Sequence, residues 1–231
     1  SSDAPDGVAL DGVIQEGIAS LGRLRLSNLD VLLCKKGESI EDEVDFASIR
    51  GQGAAKRALQ IAAAGGHGVL LMGPPGSGKT MLARAFASIL PPLSQDEMTG
   101  AACVHSAAGE PVDAILSGRR PFRRPHHSAT TAGLIGGGRP IRPGEISLAH
   151  EGVLFLDEIS EFKPAVLQAL RQPLESGAVT LVRASGDCRL PASFSLIAAS
   201  NPCPCGYYGD PGHPCTCSQG AILAHQSRIG G

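Results

Sequence analysis

The clearest apolar runs along the chain are short and lie between breakers. Gly68-Val69-Leu70-Leu71-Met72, Gly152-Val153-Leu154-Phe155-Leu156 and Ser195-Leu196-Ile197-Ala198-Ala199 are nearly continuous in apolar residues. They lack the alternation of a strand with one solvated face, and so predict strands buried on both faces of a parallel sheet. Elsewhere the period changes to that of helices. Ala54–Ala64 places apolar residues at helical spacing and is stopped by Gly65-Gly66, and Lys79–Leu90 does the same before Pro91-Pro92. Lys163–Glu175 reads as a further helix, with Pro164 in the first turn, where proline is tolerated. Val179–Arg183 and Cys188–Leu190 flank Ala184-Ser185-Gly186-Asp187 and predict a hairpin. Strands alternating with helices imply an α/β fold with a parallel central sheet covered on both faces.

Before Asp45 the patterning is weak and ends in the acidic stretch Glu38-Ser39-Ile40-Glu41-Asp42-Glu43. We read residues 1–44 as a linker or the remnant of a preceding domain, and residues 45–231 as one domain. With 42% hydrophobic and 18% charged residues, the chain has the composition of a globular protein. No apolar run reaches the roughly 18 residues of a membrane span. Ser1-Ser2-Asp3-Ala4 lacks a basic segment followed by an apolar one, so no signal peptide is expected and the chain reads as cytoplasmic. The net charge of −2 conceals an asymmetry, because six arginines and no acid fall within Arg119–Arg142. Such a stretch either meets phosphates or is a solvated loop answering acids elsewhere in the fold. The absence of Trp argues against an aromatic platform for single-stranded bases.

The most specific chemistry lies in Gly73-Pro74-Pro75-Gly76-Ser77-Gly78-Lys79-Thr80, which follows a predicted strand and opens a predicted helix. Glycines let backbone N–H groups converge on phosphates, and the helix N-terminus adds its positive end. Lys79 is placed to meet the β and γ phosphates of ATP, the Thr80 hydroxyl to ligate Mg²⁺, and Met81 to complete the nucleotide contacts. Asp157-Glu158 ends the second buried strand, where a carboxylate faces the same crevice. Asp157 is expected to hold Mg²⁺ and Glu158 to polarise the attacking water. Asn201 ends the third strand. It either orients that water against Glu158 or is simply a turn residue before Pro202.

Seven cysteines in a chain read as intracellular do not suggest a disulfide framework. Four form two close pairs, Cys203/Cys205 and Cys215/Cys217, with His213 between them. They are either a tetrahedral Zn²⁺ site or reduced thiols in a Pro/Gly loop at 203–217. Cys34, Cys103 and Cys188 read as packing residues. His126-His127 offers too few ligands for a metal. Leu134-Ile135, before three glycines, reads either as an apolar tip on a mobile loop or as a flexible connection.

Several segments together resemble the magnesium-chelatase-like AAA+ ATPases, and within them the bacterial competence-type group. They are Asp45–Gln52, His126-His127, Gly136–Gly138, Pro143–His150 and Asn201–Gly206. The resemblance implies a phosphate-loop NTPase with the AAA+ αβα sandwich. It also implies β-hairpin insertions at about 107–150 and 179–190, and a nucleotide base bordered by Ile49, Gly51 and Gln52. It implies a hexameric, homo-oligomeric ring that hydrolyses ATP between subunits. Competence-type members act on single-stranded or branched DNA, whereas chelatase subunits drive Mg²⁺ into a porphyrin. Such proteins continue past the equivalent of Ser227-Arg228-Ile229 into an arginine-finger segment and a helical lid. The expectation is therefore a core without its C-terminal lid, a DNA-directed motor. The alternatives are a chelatase-type subunit or a non-catalytic nucleotide-binding module.

Overall fold

The computed structural model describes residues 44–182 and 186–230. The expected linker 1–44 (apart from Val44), Cys34, and Ala184-Ser185 of the hairpin turn lie outside the described residues.

In chain order the elements are α1 (Gly53–Gly65), β1 (Val69–Met72), α2 (Lys79–Ile89), α3 (Gln95–Ala108) and α4 (Asp113–Leu116). Next come β2 (Phe122–Arg123), α5 (Thr131–Ile135), β3 (Gly136–Gly137), β4 (Arg142–Pro143), α6 (Glu145–Leu148) and β5 (Gly152–Leu156). The remainder is α7 (Pro164–Gln168), α8 (Arg171–Ser176), β6 (Ala178–Leu181), β7 (Cys188–Pro191), β8 (Phe194–Ser200) and α9 (Gln219–Gly230).

The three apolar runs become β1, β8 and β5, which pair in parallel in the order β1-β8-β5-β2. Ile197 stands opposite both Val69 and Phe155, so β8 is the middle of the trio. Consecutive residues of β5 then point into different layers. Val153 and Phe155 pack with Leu59, Leu82 and Phe86 of α1 and α2, while Leu154 and Leu156 pack with Leu134, Val166 and Leu170 on the opposite face. All five residues of β5 are buried. This is the expected αβα sandwich. Helix α1 ends where predicted, at Gly66 in the left-handed conformation (φ 64°), whose N–H reaches Ala62 O.

Four readings of the sequence are corrected. The single helix expected over 163–175 is two, α7 and α8. Pro173 has no N–H to donate, and its ring crowds the carbonyl four residues earlier, at Ala169 between the two helices. The insertion expected at about 107–150 contributes to the sheet itself, because Phe122 and Arg123 pair in parallel with Val153 and Leu154. Within it, β3 and β4 form the antiparallel hairpin. Leu134 is neither a mobile tip nor part of a flexible connection; it is fully buried, in the layer formed with α6 and α7. Cys103 is exposed rather than a packing residue.

The arginine-rich stretch answers acids at three of its positions. Arg123 bridges Glu110 and Glu145, with contacts of 2.8 Å to each. Burial works against its charge, but the bonds to Glu145 and Glu110 outweigh this and hold it more firmly protonated. Arg120, 13% exposed, joins Pro91 O, Glu151 O and Glu97. Arg124 meets Asp157. Arg119, Arg139 and Arg142 are exposed.

Glu97 also closes a capping box with Ser94 at the start of α3. Its carboxyl is lowered from 4.5 to about 2, first by the backbone amide of Ser94 and further by the Ser94 hydroxyl and Arg120. A depressed folded-state pKa stabilises the fold above the unfolded value and loses that contribution as pH falls through the folded one. Urea unfolding of the parent and of Glu97→Gln is therefore expected to differ most near neutral pH. The two curves should converge as pH falls from about 5 towards about 2. A difference independent of pH would contradict this account of α3.

Candidate active site

The C-terminal ends of β1, β8 and β5 lie side by side, and each ends in a residue the sequence singled out. β1 runs into the phosphate loop, β8 into Asn201, and β5 into Asp157-Glu158. Because β8 is central, Asn201 stands between the loop and the two acids. Pro75–Met81, Asp157, Glu158 and Asn201 line one crevice of about 460 Å³.

The loop is shaped by glycines. Gly76 and Gly78 have φ of 75° and 85°, a region that penalises any Cβ, and Gly78 leads directly into α2. The Lys79 ammonium donates to Gly73 O at 2.8 Å, Pro74 O at 3.0 Å and Asn201 Oδ1 at 3.2 Å. Its pKa is lowered by burial, against the opposing pull of Asp157 and Glu158. Thr80 Oγ1 donates to Asp157 Oδ2 at 3.1 Å, which brings the two expected Mg²⁺ ligands together. Ser77 Oγ is buried in the loop with no hydrogen-bond partner among the described residues.

These groups fit a magnesium nucleotide. A glycine-opened loop, a helix N-terminus and an ammonium face one space, with a hydroxyl and a carboxylate adjoining it. The segment expected to border the base fits less completely. Ile49 is only 3% exposed and packs in the hydrophobic layer with Phe46, so its side chain offers no surface to a ligand. Gly51 is exposed, and Gln52 reaches the loop by donating to Ser77 O at 3.1 Å.

Two neighbours of the acids escaped the sequence reading. Arg124 Nη2 lies 2.7 Å from Asp157 Oδ2, the same oxygen that accepts from Thr80. His127 Nδ1 lies 3.7 Å from Glu158 Oε2. Both come from the segment after β2, which the sheet places beside β5. The available signal was Arg123-Arg124-Pro125-His126-His127, but nothing local to it indicates which acids it meets. A second cavity, of about 660 Å³, adjoins the first and shares Glu158 and Asn201 with it; His225 and Arg228 of α9 also line it. His225 Nε2 lies 3.0 Å from Asn201 O.

Beyond Asn201 the four paired cysteines converge, with all four sulfurs within 4.8 Å of one another. His213 is not among them; it is 66% exposed and stacks on Tyr207. The backbone amides of Tyr207 and Thr216 draw the Cys205 thiol down to about 5. Cys215, although the amide of Cys217 works against it, is pushed up to about 12 by burial and the neighbouring thiols. One sulfur thus ionises readily and its charge discourages the next.

Among the described residues, no helix is long and apolar enough to cross a membrane. The profile of the family described as "Magnesium chelatase, subunit ChlI" matches residues 45–231. The competence protein ComM of Haemophilus influenzae is 51% identical over 168 residues, which cover 73% of this chain and 33% of that protein. The uncharacterized protein YifB of Salmonella typhimurium is 48% identical over 187 residues, 81% of this chain and 37% of its own. The magnesium-chelatase 67 kDa subunit of Heliobacterium mobile is 29% identical over 189 residues, 68% of this chain and 28% of that protein. The chain thus spans less than half the length of these relatives. Among solved structures, the complex of magnesium-chelatase subunits BchI and BchD matches with a TM-score of 0.54 at 25% identity, over 69% of this chain and 56% of that one. The chain belongs to the magnesium chelatase ChlI family of AAA+ ATPases, and shares more sequence with its competence and YifB members than with the chelatase subunits.

Proposed function

We propose that the chain binds Mg-ATP in the crevice between the phosphate loop and Asp157-Glu158 and hydrolyses it to ADP and phosphate. The observation that carries this reading is the meeting of Lys79, Thr80, Asp157, Glu158 and Asn201 at three adjacent strand ends. The loop amides and Lys79 bind the phosphate oxygens. Thr80 and Asp157 are the residues that would hold Mg²⁺, which when bound supplies positive charge to those oxygens. Glu158, 57% exposed, accepts the proton of a water as its oxygen bonds to the γ-phosphorus and the bond to the β-phosphate oxygen breaks. Asn201 holds that water against Glu158. Its amide is already fixed by Lys79 and its backbone by His225. Arg124 neutralises Asp157 in this structure, and with Mg²⁺ held at Asp157 its guanidinium would be available to phosphate oxygens.

We further propose that hydrolysis drives remodelling of single-stranded or branched DNA by a homo-oligomeric ring. The DNA part draws on the 51% identity to a protein named for competence, and on the exposed Arg119, Arg139 and Arg142. The ring draws on the likeness to subunits of a chelatase complex. A chelatase-type role has the family description and weaker identities of 29% and 30% to two chelatase subunits behind it. ATP turnover measured with and without branched DNA tests the reading. Stimulation by DNA is expected, turnover indifferent to DNA removes the DNA part, and absent turnover with intact binding leaves a nucleotide-binding module.

A further inference from the structure

The segment between β8 and α9 contains chemistry that ATP hydrolysis does not use. Residues 201–218 hold neither helix nor strand. Ordered loops longer than about 12–15 residues are uncommon without a role or an anchor. Here the anchor is a cluster of sulfurs. Cys203 Sγ lies 3.4 Å from Cys205 Sγ and 3.7 Å from Cys215 Sγ, and Cys205 and Cys215 are 3.6 Å apart. Cys217 completes the group, its sulfur accepting the backbone N–H of Cys205 at 3.4 Å.

These distances are too long for disulfides, whose sulfurs sit about 2.0 Å apart. They match another arrangement. Four thiolates each about 2.3 Å from a central zinc in a tetrahedron are about 3.8 Å from one another. Soft sulfur donors do not suit Mg²⁺ or Ca²⁺, which take oxygen ligands. A backbone N–H pointed at a sulfur favours the thiolate, the form that binds metal. Simple packing of reduced thiols does not account for the cluster, because only Cys203 is buried and the other three are partly open to solvent.

We propose that Cys203, Cys205, Cys215 and Cys217 bind one Zn²⁺, and that this metal fixes the loop that carries Asn201 against the phosphate loop. The site ties the two ends of the loop together, only two residues after Asn201. Directly after Cys205, Gly206 adopts φ 89°, and a Cβ there would stand 2.6 Å from Pro75 Cδ, so its backbone rests against the phosphate loop itself. On the far side α9 holds the same stem, through His225 to Asn201 O at 3.0 Å and Gln226 to Pro202 O at 3.4 Å. Asn201 is thereby clamped between a metal knot and a helix.

Elemental analysis of the chain purified without chelators is expected to find one zinc per chain. Co²⁺ exchanged into the same protein should give the visible absorption of a tetrahedral thiolate site, a readout that needs no variant to fold. Cys205→Ser with Cys215→Ser should lose the metal, while Cys103→Ser, at an exposed cysteine outside the cluster, should keep it. Chelation should lower the thermal midpoint and weaken binding of a fluorescent ATP analogue by about tenfold. Folded protein with no zinc, or with iron in its place, overturns the site. Loss of zinc with unchanged nucleotide affinity overturns the link to Asn201.

Discussion

Lys79→Ala is expected to weaken ATP binding by about 10- to 100-fold while leaving the fold intact. Hydrogen bonds to charged groups contribute about 1.5–3 kcal/mol, and each 1.4 kcal/mol is a factor of ten in affinity. The ammonium sits among Gly73 O, Pro74 O and Asn201 Oδ1, where phosphate oxygens can replace neutral acceptors without moving the side chain far. The fold should tolerate the change because burial already works against the charge of this lysine. Calorimetric titration with ATP and Mg²⁺ checks the prediction, together with a circular dichroism spectrum matching the parent. Equal affinity in parent and variant would remove the crevice from consideration as the nucleotide site.

The second large effect is expected on rate alone. In a preparation that hydrolyses ATP, Glu158→Gln should lower kcat by about 10²- to 10⁴-fold, the usual contribution of a positioned general base. Glutamine keeps the length and shape of the side chain but accepts no proton. Among the described residues Glu158 makes no hydrogen bond to the phosphate loop, and its carboxylate lies 3.7 Å from His127 Nδ1. Nucleotide affinity should therefore stay within about twofold of the parent. Comparing single-turnover rates with equilibrium binding separates the two quantities. A fall in affinity as large as the fall in rate would make Glu158 a binding group instead.

What could be read from the sequence follows from how local each feature is. The phosphate loop is eight consecutive residues, and the strand before it and the helix after it are announced by their own apolar periods. Asp157 and Asn201 were legible because each closely follows a nearly continuous apolar run, and parallel strands bring such ends together. The pairing of Arg124 with Asp157 was not, since it joins residues 33 apart through a sheet whose β2 strand is only two residues long. The same holds for Arg123, whose two acids come from the loop after α3 and from the start of α6. Leu134 was misread because its glycine neighbours suggest mobility, whereas the glycines form a hairpin that folds the leucine inward. Pro173 was a local signal that deserved more weight than the apolar period around it, and the Ser94/Glu97 cap was a local signal the reading did not use.

Glu158 has a further property that follows from its backbone. It adopts φ 53° and ψ 50°, the left-handed region, which costs a residue with a Cβ roughly 1–3 kcal/mol. Its N–H turns back to Asp157 Oδ1 at 3.1 Å, so the bend is built into the acidic pair itself. Glycine or asparagine would occupy the same bend with less strain. With Glu158 as the proposed general base, selection for stability and selection for hydrolysis pull in opposite directions at this position. In lineages that keep the fold as a passive binder of nucleotide, nothing opposes drift towards glycine here. On the proposed mechanism, a glutamate at this bend is the residue that turnover requires and that stability alone would not choose.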